Sequence, residues 1–291
     1  MRNSLNKYFT DVFLKTNGFL PAFPFGVSLE IGDFFLIENG NIFKLGSLKG
    51  NEEFFDLDEP VRSTKKAIQP EEIWQTEFQV NTTFKSRGVA LEWENVYVED
   101  SRQALIVEFK KPGSYFFRNS EIVSREFDNF HHLSDQILQK FVSKEFNFKK
   151  IYFVTETAQS EKCALSVASG YGNLVIDFVE EGYYDLDDLV KPNVAFYPHQ
   201  SKNIDFNRLN KGRGDYFKAM KLDVSFKGQH YVSRHIRKHL PENMQDQYYN
   251  LMNYGKTSIL KLTNVFPGNA VDYYSFFPMG LEDVQQLFAN N

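Results

Sequence analysis

Apolar positions first recur along the chain with a helical period. Leu5, Tyr8, Phe9, Val12 and Phe13 follow an i, i+3, i+4, i+7, i+8 series, and Gly18 stands just past its end. This spacing predicts a short amphipathic helix over residues 3–16. The runs IGDFFLIENG and NIFKLGSLKG are joined at Asn39-Gly40, a pair that tolerates positive φ, so they predict a hairpin. Residues 51–70 mix Glu52, Glu53, Asp56, Asp58 and Glu59 with Arg62, Lys65 and Lys66, and read as a loop or an exposed crossover. From Thr76 the period becomes two. Phe78, Val80, Thr82 and Phe84 share one face, Gly88 breaks the run, and Val89, Leu91 and Trp93 share one face of the next. A long antiparallel hairpin over 76–98 is expected. Strands at 103–110 and 114–123 follow, split by Pro112-Gly113. Phe127, Phe130, Leu133, Ile137, Leu138, Phe141 and Val142 then trace a helical stripe over about 128–145. Runs at 151–157, 162–169 and 173–180, with Gly170 and Gly172 at the second turn, read as a three-stranded meander. Further strands are expected at 194–200, within 216–226 and at 257–265, with helices near 242–254 and 281–288. Hairpins outnumber any βαβ alternation, so the fold class is α+β, a twisted, mostly antiparallel sheet with flanking helices.

Composition narrows the function. The chain has 291 residues, of which 42% are hydrophobic, enough to bury a core. Thirty-three Lys and Arg against 38 Asp and Glu leave a net charge of -5, so no global positive field draws it to nucleic acid. No apolar run approaches the roughly 18 residues of a spanning helix. The opening MRNSLNKYFTDVF has no basic leader followed by an apolar core, so secretion by a signal peptide is not indicated. Cys163 stands alone, which excludes an intrachain disulfide framework and fits a reducing cytoplasm. Aromatics reach 16%, with 30 Phe and 15 Tyr against 2 Trp, a richness that suits half-buried strands.

Candidate chemistry is sparse. His235 and His239 in SRHIRKH have the i, i+4 spacing of a metal pair, but no Glu completes HExxH, His230 lies five residues off, and Arg234, Arg237 and Lys238 repel a cation. A solvated basic segment is the plainer reading. His131 and His132 are adjacent and point about 100° apart, so they cannot chelate together. KCALSVAS is a strand setting for Cys163 rather than that of a nucleophile. Glu180, Glu181, Asp185, Asp187 and Asp188 lack the order of a calcium loop and read as a solvated acidic turn. Gly170-Tyr171-Gly172 and Gly212-Arg213-Gly214 match no phosphate-binding loop, and Arg213-Gly214-Asp215 is a tripeptide that chance supplies. No GxSxG, kinase set or CxxC pair occurs. The expectation is a protein that is not an enzyme, with no metal and no cofactor.

One ordered set of segments resembles the gasdermin family, specifically its short bacterial members. An initial helix is followed by IGDFFLIENGNIFKLGSLKG, similar to that family's early hairpin with a G-D pair, an aromatic run and an L-G-x-L turn. SYFFRNSEIVSREFDNFHHLSDQILQKF and FKKIYFVTETAQSEKCALSVASGYGNLVIDF resemble its strand, long amphipathic helix, V-T-E strand and small-residue strand in the same order. Val154-Thr155-Glu156 is the sharpest point, and NKGRGDYFKAMKLDVSFKG resembles the segment near the family's end. The likeness covers roughly residues 5–228, leaving 229–291 as a C-terminal extension.

The resemblance implies a gasdermin N-terminal-domain-like body that is latent in the cytoplasm. An inhibitory C-terminal segment is removed by a protease; subunits then oligomerise and insert two β-hairpins each into a membrane, the inner membrane in a bacterium. Closing a barrel satisfies backbone groups that lipid cannot. It implies cell death, perhaps in antiphage defence. Phe78, Val80, Phe84, Val89, Leu91 and Trp93 are the first inserting hairpin; Ile151, Phe153, Leu165 and Val167, over 151–169, are the second, weaker one. Length and alternation suit tilted transmembrane strands. Arg234, Arg237 and Lys238 are the candidate cleavage region. Two departures stand out: no Cys near the start is available for a lipid, and 229–291 is longer than the short bacterial inhibitory tail. The terminal stripe Leu281, Val284, Leu287 and Phe288 could dock on the body. The alternatives are a non-enzymatic binding or scaffold protein whose aromatic strands are simply core, and an enzyme whose residues converge only in space.

Overall fold

The computed structural model describes residues 2–22, 28–49, 57–67, 74–93, 96–143, 150–178, 196–209, 214–239 and 270–288. In chain order these give α1 (Arg2–Lys15), β1 (Leu20–Pro21), β2 (Asp33–Glu38), β3 (Asn41–Ser47), β4 (Ser63–Ala67), β5 (Trp74–Phe78), β6 (Val80–Trp93), β7 (Val96–Phe109), β8 (Tyr115–Phe127), α2 (Phe130–Ser143), β9 (Ile151–Phe178), β10 (Phe196–Leu209), β11 (Gly214–Val224), α3 (Phe226–His239), a 3-10 turn (Ala270–Tyr273), β12 (Tyr274–Pro278) and α4 (Leu281–Gln286). Mixed helix and antiparallel sheet, mostly strand, bears out the α+β class. The chain divides into two compact units: residues 1–24, 66–124 and 158–216, and residues 25–65, 125–157 and 217–291. Each unit is discontinuous, and the sequence boundary at Gly228 falls inside α3.

The second unit is built around aromatic rings. α2 buries Phe130, Leu133, Ile137, Leu138 and Phe141, the stripe its 3.6 period announces. Phe141 meets Phe153 edge-on at 4.8 Å and Phe34 at 5.1 Å, and Phe276 of β12 packs 5.3 Å from Phe153. The β2–β3 hairpin turns at Asn39 (φ 50) and Gly40 (φ 72), with Glu38 opposite Asn41, as the Asn-Gly pair predicts. Gly32 (φ 87) donates to the Val154 carbonyl and accepts from Leu48 N, while buried Asp33 binds Lys44 at 2.6 Å and accepts from Glu30 N.

In the first unit α1 buries Leu5, Tyr8, Phe9 and Val12, and Gly18 (φ 99) donates to Phe13 O to end the helix. Tyr8 meets Tyr115 and Phe117 of β8 edge-on at 5.6 and 5.4 Å. A separate cluster joins Leu105, Val107, Phe109, Phe116, Ala164, Ala168, Leu174, Ile176 and Phe178.

Several sequence expectations are corrected here. The hairpin expected over 76–98 does not turn at Gly88. β6 runs unbroken through it, Gly88 pairs with Ser101, and the partner strand is β7. Thr76 and Phe78 belong to β5, which pairs with β8 instead, Phe78 opposite Tyr115. A lone strand glycine need not be a turn; opposite Ser101 it simply occupies a rung. Residues 151–178 form one strand of 28 residues, not a meander. The polar stretch read as its first turn contains Ser160, which is fully buried because its hydroxyl donates to the Ser120 carbonyl at 2.8 Å. Residues 63–67 of the expected loop form β4, paired with β8. The acidic turn at 180–188, the helix at 242–254 and the strand at 257–265 lie outside the described residues.

Candidate functional site

The first unit contains a ladder of unusually long strands. β6 and β7 pair antiparallel from Val80 opposite Phe109 to Trp93 opposite Val96, 14 residues each, with no register shift. β7 pairs on its other edge with β9, Ala104 opposite Asp177 through Phe109 opposite Gly172. β10 pairs with β9 from Phe196 opposite Phe178 to Leu209 opposite Ala164. Along β5 and the start of β6, residues 74–85 alternate strictly between half-buried and exposed. This is the signature of a strand with one face on a core and one toward solvent.

The ladder's root is pinned by α1. The Tyr115 hydroxyl donates to Asp11 and lies 3.1 Å from Thr76 Oγ1. Burial pushes the Tyr115 phenol well above its usual range, and the Asp11 hydrogen bond adds to the shift. Phe78 stacks on Tyr115 at 6.2 Å, while the ammonium groups of Lys7 and Lys111 stand 5.3 and 4.9 Å from the Phe78 ring centroid.

Half-buried Phe78 thus sits at the root, and half-buried Val80 and Phe84 pack against the inner cluster, the Phe84 ring 6.2 Å from that of Phe178. Val89, Leu91 and Trp93 stand in the same strand opposite Asp100, Val98 and Val96. With an unbroken two-residue pleat, these odd positions occupy the opposite face from Val80 and Phe84. The single apolar face expected from the sequence is therefore corrected: the apolar phase of β6 changes side between Phe84 and Val89. Of the second expected hairpin, Ile151 and Phe153 are fully buried in the second unit, and Leu165 and Val167 are buried in the first, opposite Arg208 and Phe206. One strand carries all four, so they form no hairpin.

SRHIRKH lies in α3, a hydrogen-bonded helix, rather than in an extended segment. Arg234 and Lys238 are exposed there; the side chains of Arg237, His235 and His239 lie outside the described set. His230, His131 and His132 are exposed, and no group of metal-binding side chains occurs among the described residues. Cys163 is a buried strand thiol 3.9 Å from the Tyr216 hydroxyl.

Sequence reasoning missed a buried polar cluster that docks the C-terminal helix of the second unit. Asp283, with no exposed surface, accepts from Tyr152 Oη at 2.9 Å, Lys221 Nζ at 3.0 Å and Gly280 N at 2.9 Å. Lys221 also reaches Glu282 at 3.0 Å. Burial alone would lower the Lys221 ammonium, yet the hydrogen bond and charge of Asp283, helped by Glu282, leave it raised. Burial and then the Asp283 charge drive the Tyr152 phenol far up. Glu282 is lowered, by its backbone hydrogen bond first and by Lys221 second. Val284 and Leu287 are buried beneath the same helix, as the terminal stripe predicts. A signal was present: an acid three residues after the helix start, able to reach back to the cap N–H.

No helix among the described residues is long and apolar enough to cross a membrane, which says nothing of strands. The chain matches no family model and no curated protein.

Proposed function

We propose that the protein is a latent pore-forming effector with a gasdermin-like body, held inactive by its C-terminal region and released by proteolysis to oligomerise in a membrane. One observation carries this reading: β6 and β7 form an unbroken hairpin ladder of 14 residues per strand. A tilted membrane-crossing strand needs about 9–11 residues, so the ladder is long enough to cross with its backbone hydrogen bonds already made. The tail is docked by Asp283, Lys221 and buried Val284 and Leu287, which suits a restraining role. Cleavage at Arg234, Arg237 or Lys238 requires α3 to unwind locally, because a protease binds extended backbone; cutting then leaves the tail held by contacts alone. In this reading the latent protein is cytoplasmic, its partners are an activating protease, membrane lipid and its own copies, and its outcome is cell death in a defence response. It has no catalytic residue. The test is dye release from liposomes before and after limited proteolysis. Release only after cutting, together with toxicity of a chain truncated near Gly228, supports the proposal. Intact liposomes with soluble, folded, cut protein overturn it.

A second reading, a binding or scaffold protein with no membrane activity, is favoured by a different observation: Val80 and Phe84 already pack on the inner cluster, as ordinary core strands do. It predicts that truncation gives insoluble, non-toxic protein.

A further inference from the structure

Four residues other than glycine have positive φ among the described residues: Asn17, Asn39, Gln79 and Asn203. Asn17 ends α1 and Asn39 makes the β2–β3 turn, where such a conformation is expected. Gln79 (φ 55) and Asn203 (φ 54) make no turn. Gln79 separates β5 from β6, and Asn203 lies within β10.

The pairing registers place these two residues in a single transverse row. Gln79 O accepts from Lys110 N, at the end of β7. Phe109 is opposite Gly172, so residues 110 and 171 stand beside each other. Tyr171 O accepts from Asn203 Nδ2 at 2.6 Å, and Asn173 is opposite Lys202. Each strand the row crosses is irregular there. Between β7 and β8, Lys111, Pro112 and Gly113 (φ 81) bulge out, and pairing resumes where Gly113 N and Ser114 O bond Ala168. In β9, Gly172 approaches β10 so closely that a Cβ would lie 2.1 Å from Lys202 O. β10 shifts register between Lys202 and Ile204 and again between Ile204 and Phe206. Asn173 Oδ1, beside the row, is buried with no partner among the described residues. The two sides differ. On one, β5 and β8 are pinned to α1 through Tyr115, Asp11 and Phe78; on the other, β6 and β7 run 14 residues without a shift.

Strain at one strand residue is an accident of packing; positive φ, a bulge, a glycine contact and a register shift in one row point to a mechanical role. We propose that this row, Gln79, residues 110–113, Gly170 to Gly172 and Asn203, is a hinge. The ladder beyond it moves as one blade between the interrupted form and a form in which Gln79 and Asn203 adopt ordinary extended backbone. The hinge stands on the fold alone; its use in delivering the β6–β7 hairpin to a membrane rests on the pore-forming reading.

The test uses the full-length chain with Cys163→Ala and spin labels at exposed Gln75 and Lys85, on either side of the row. With β5 and β6 in line, the backbone separation is about 33 Å, from a rise of roughly 3.3 Å over each of ten steps. Valine disfavours positive φ and glycine accepts it. Gln79→Val with Asn203→Val therefore moves the measured distance distribution toward 33 Å, and Gln79→Gly with Asn203→Gly concentrates it at the shorter distance. Identical distributions in wild type and both variants overturn the hinge. Should the valine variant fail to fold, the comparison of wild type with the glycine variant decides: a wild-type distribution that narrows supports the hinge, and one that does not change overturns it. Dye release from liposomes of phosphatidylglycerol and phosphatidylethanolamine, recorded on the same samples, separates the two ideas. A shifting distance without release keeps the hinge and removes the pore. Release at a fixed distance does the reverse.

Discussion

Along β9, residues 151–154 and 170–172 share one extended strand but are held in opposite ways. Ile151, Tyr152, Phe153 and Val154 are buried to 1% exposure or less, and their neighbours are side chains: Phe34, Phe141 and Phe276 around Phe153, and Phe35 stacked on Tyr152 at 5.2 Å. Gly170 to Gly172 have little side chain to bury. Tyr171 is 75% exposed, and Gly172 is fixed by backbone contact with Lys202. Stability therefore concentrates in the first segment, and freedom to change shape in the second. Fully packed rings tolerate no rearrangement without a cavity, whereas a backbone contact at a register shift can slide.

The largest expected effects lie in the packed segment. Phe153→Ala removes a ring that touches three others and costs about 3–5 kcal/mol, read as a lower denaturant midpoint at unchanged slope. Tyr171→Ala, in the same strand, stays within about 0.5 kcal/mol of wild type. Equal losses at both positions would erase the contrast.

Next comes the docked tail. Asp283→Asn leaves the Lys221 ammonium with Glu282 alone and costs about 3 kcal/mol, at the lower end for a broken buried pair because one partner remains. Removing both charges, Asp283→Asn with Lys221→Met, recovers part of the loss. If the double variant is worse than the single, the charge pairing is not what holds α4. Proteolysis within residues 281–288 should accelerate in the single variant first.

Gly172→Val should cost about 1–3 kcal/mol, the range for overpacking, because its Cβ drives against Lys202 O. Amide exchange should quicken in β10 around residues 200–206 and stay unchanged in residues 151–154. Uniform quickening across both would show that the row is not a local feature.

How much of this was legible follows the same division. Where side chains decide the structure, residue pattern spoke plainly: the α2 stripe of Phe130, Ile137 and Phe141, the α1 stripe of Tyr8, Phe9 and Val12, and the Asn39-Gly40 turn all took their expected places. Where backbone pairing decides, it misled. Gly88 and the polar run at 159–162 imitate turns, yet one pairs with Ser101 and the other buries Ser160 through a bond to Ser120. The change of apolar face between Phe84 and Val89 reads as two strands because period alone cannot separate a new strand from a new face. The cluster at Asp283 was hidden for another reason. Tyr152, Lys221 and Asp283 are far apart in the chain, and only the fold brings them together.

The smallest effect is on pH. Lys221 is raised, so its contribution is complete below its ordinary value of 10.5 and fades as pH climbs through the higher folded value. Glu282 is lowered, so its part is present above its ordinary value of 4.5 and fades as pH falls below it. Tail docking, followed by protease resistance of residues 281–288, should be flat between these limits and weaken modestly outside them. A step near neutral pH would require a different titrating group.

The central claim is that the β6–β7 hairpin enters a membrane once the tail is released. Dye release by protease-cut wild type and cut Leu91→Asp, at matched concentration and with matched circular dichroism, tests it most directly. Leu91 stands mid-ladder opposite Val98, and a charge there costs at most about 4 kcal/mol per subunit in lipid, repeated at every subunit of an assembly. The account predicts rapid release by wild type and nearly none by Leu91→Asp; equal release by both, from folded protein, would contradict it.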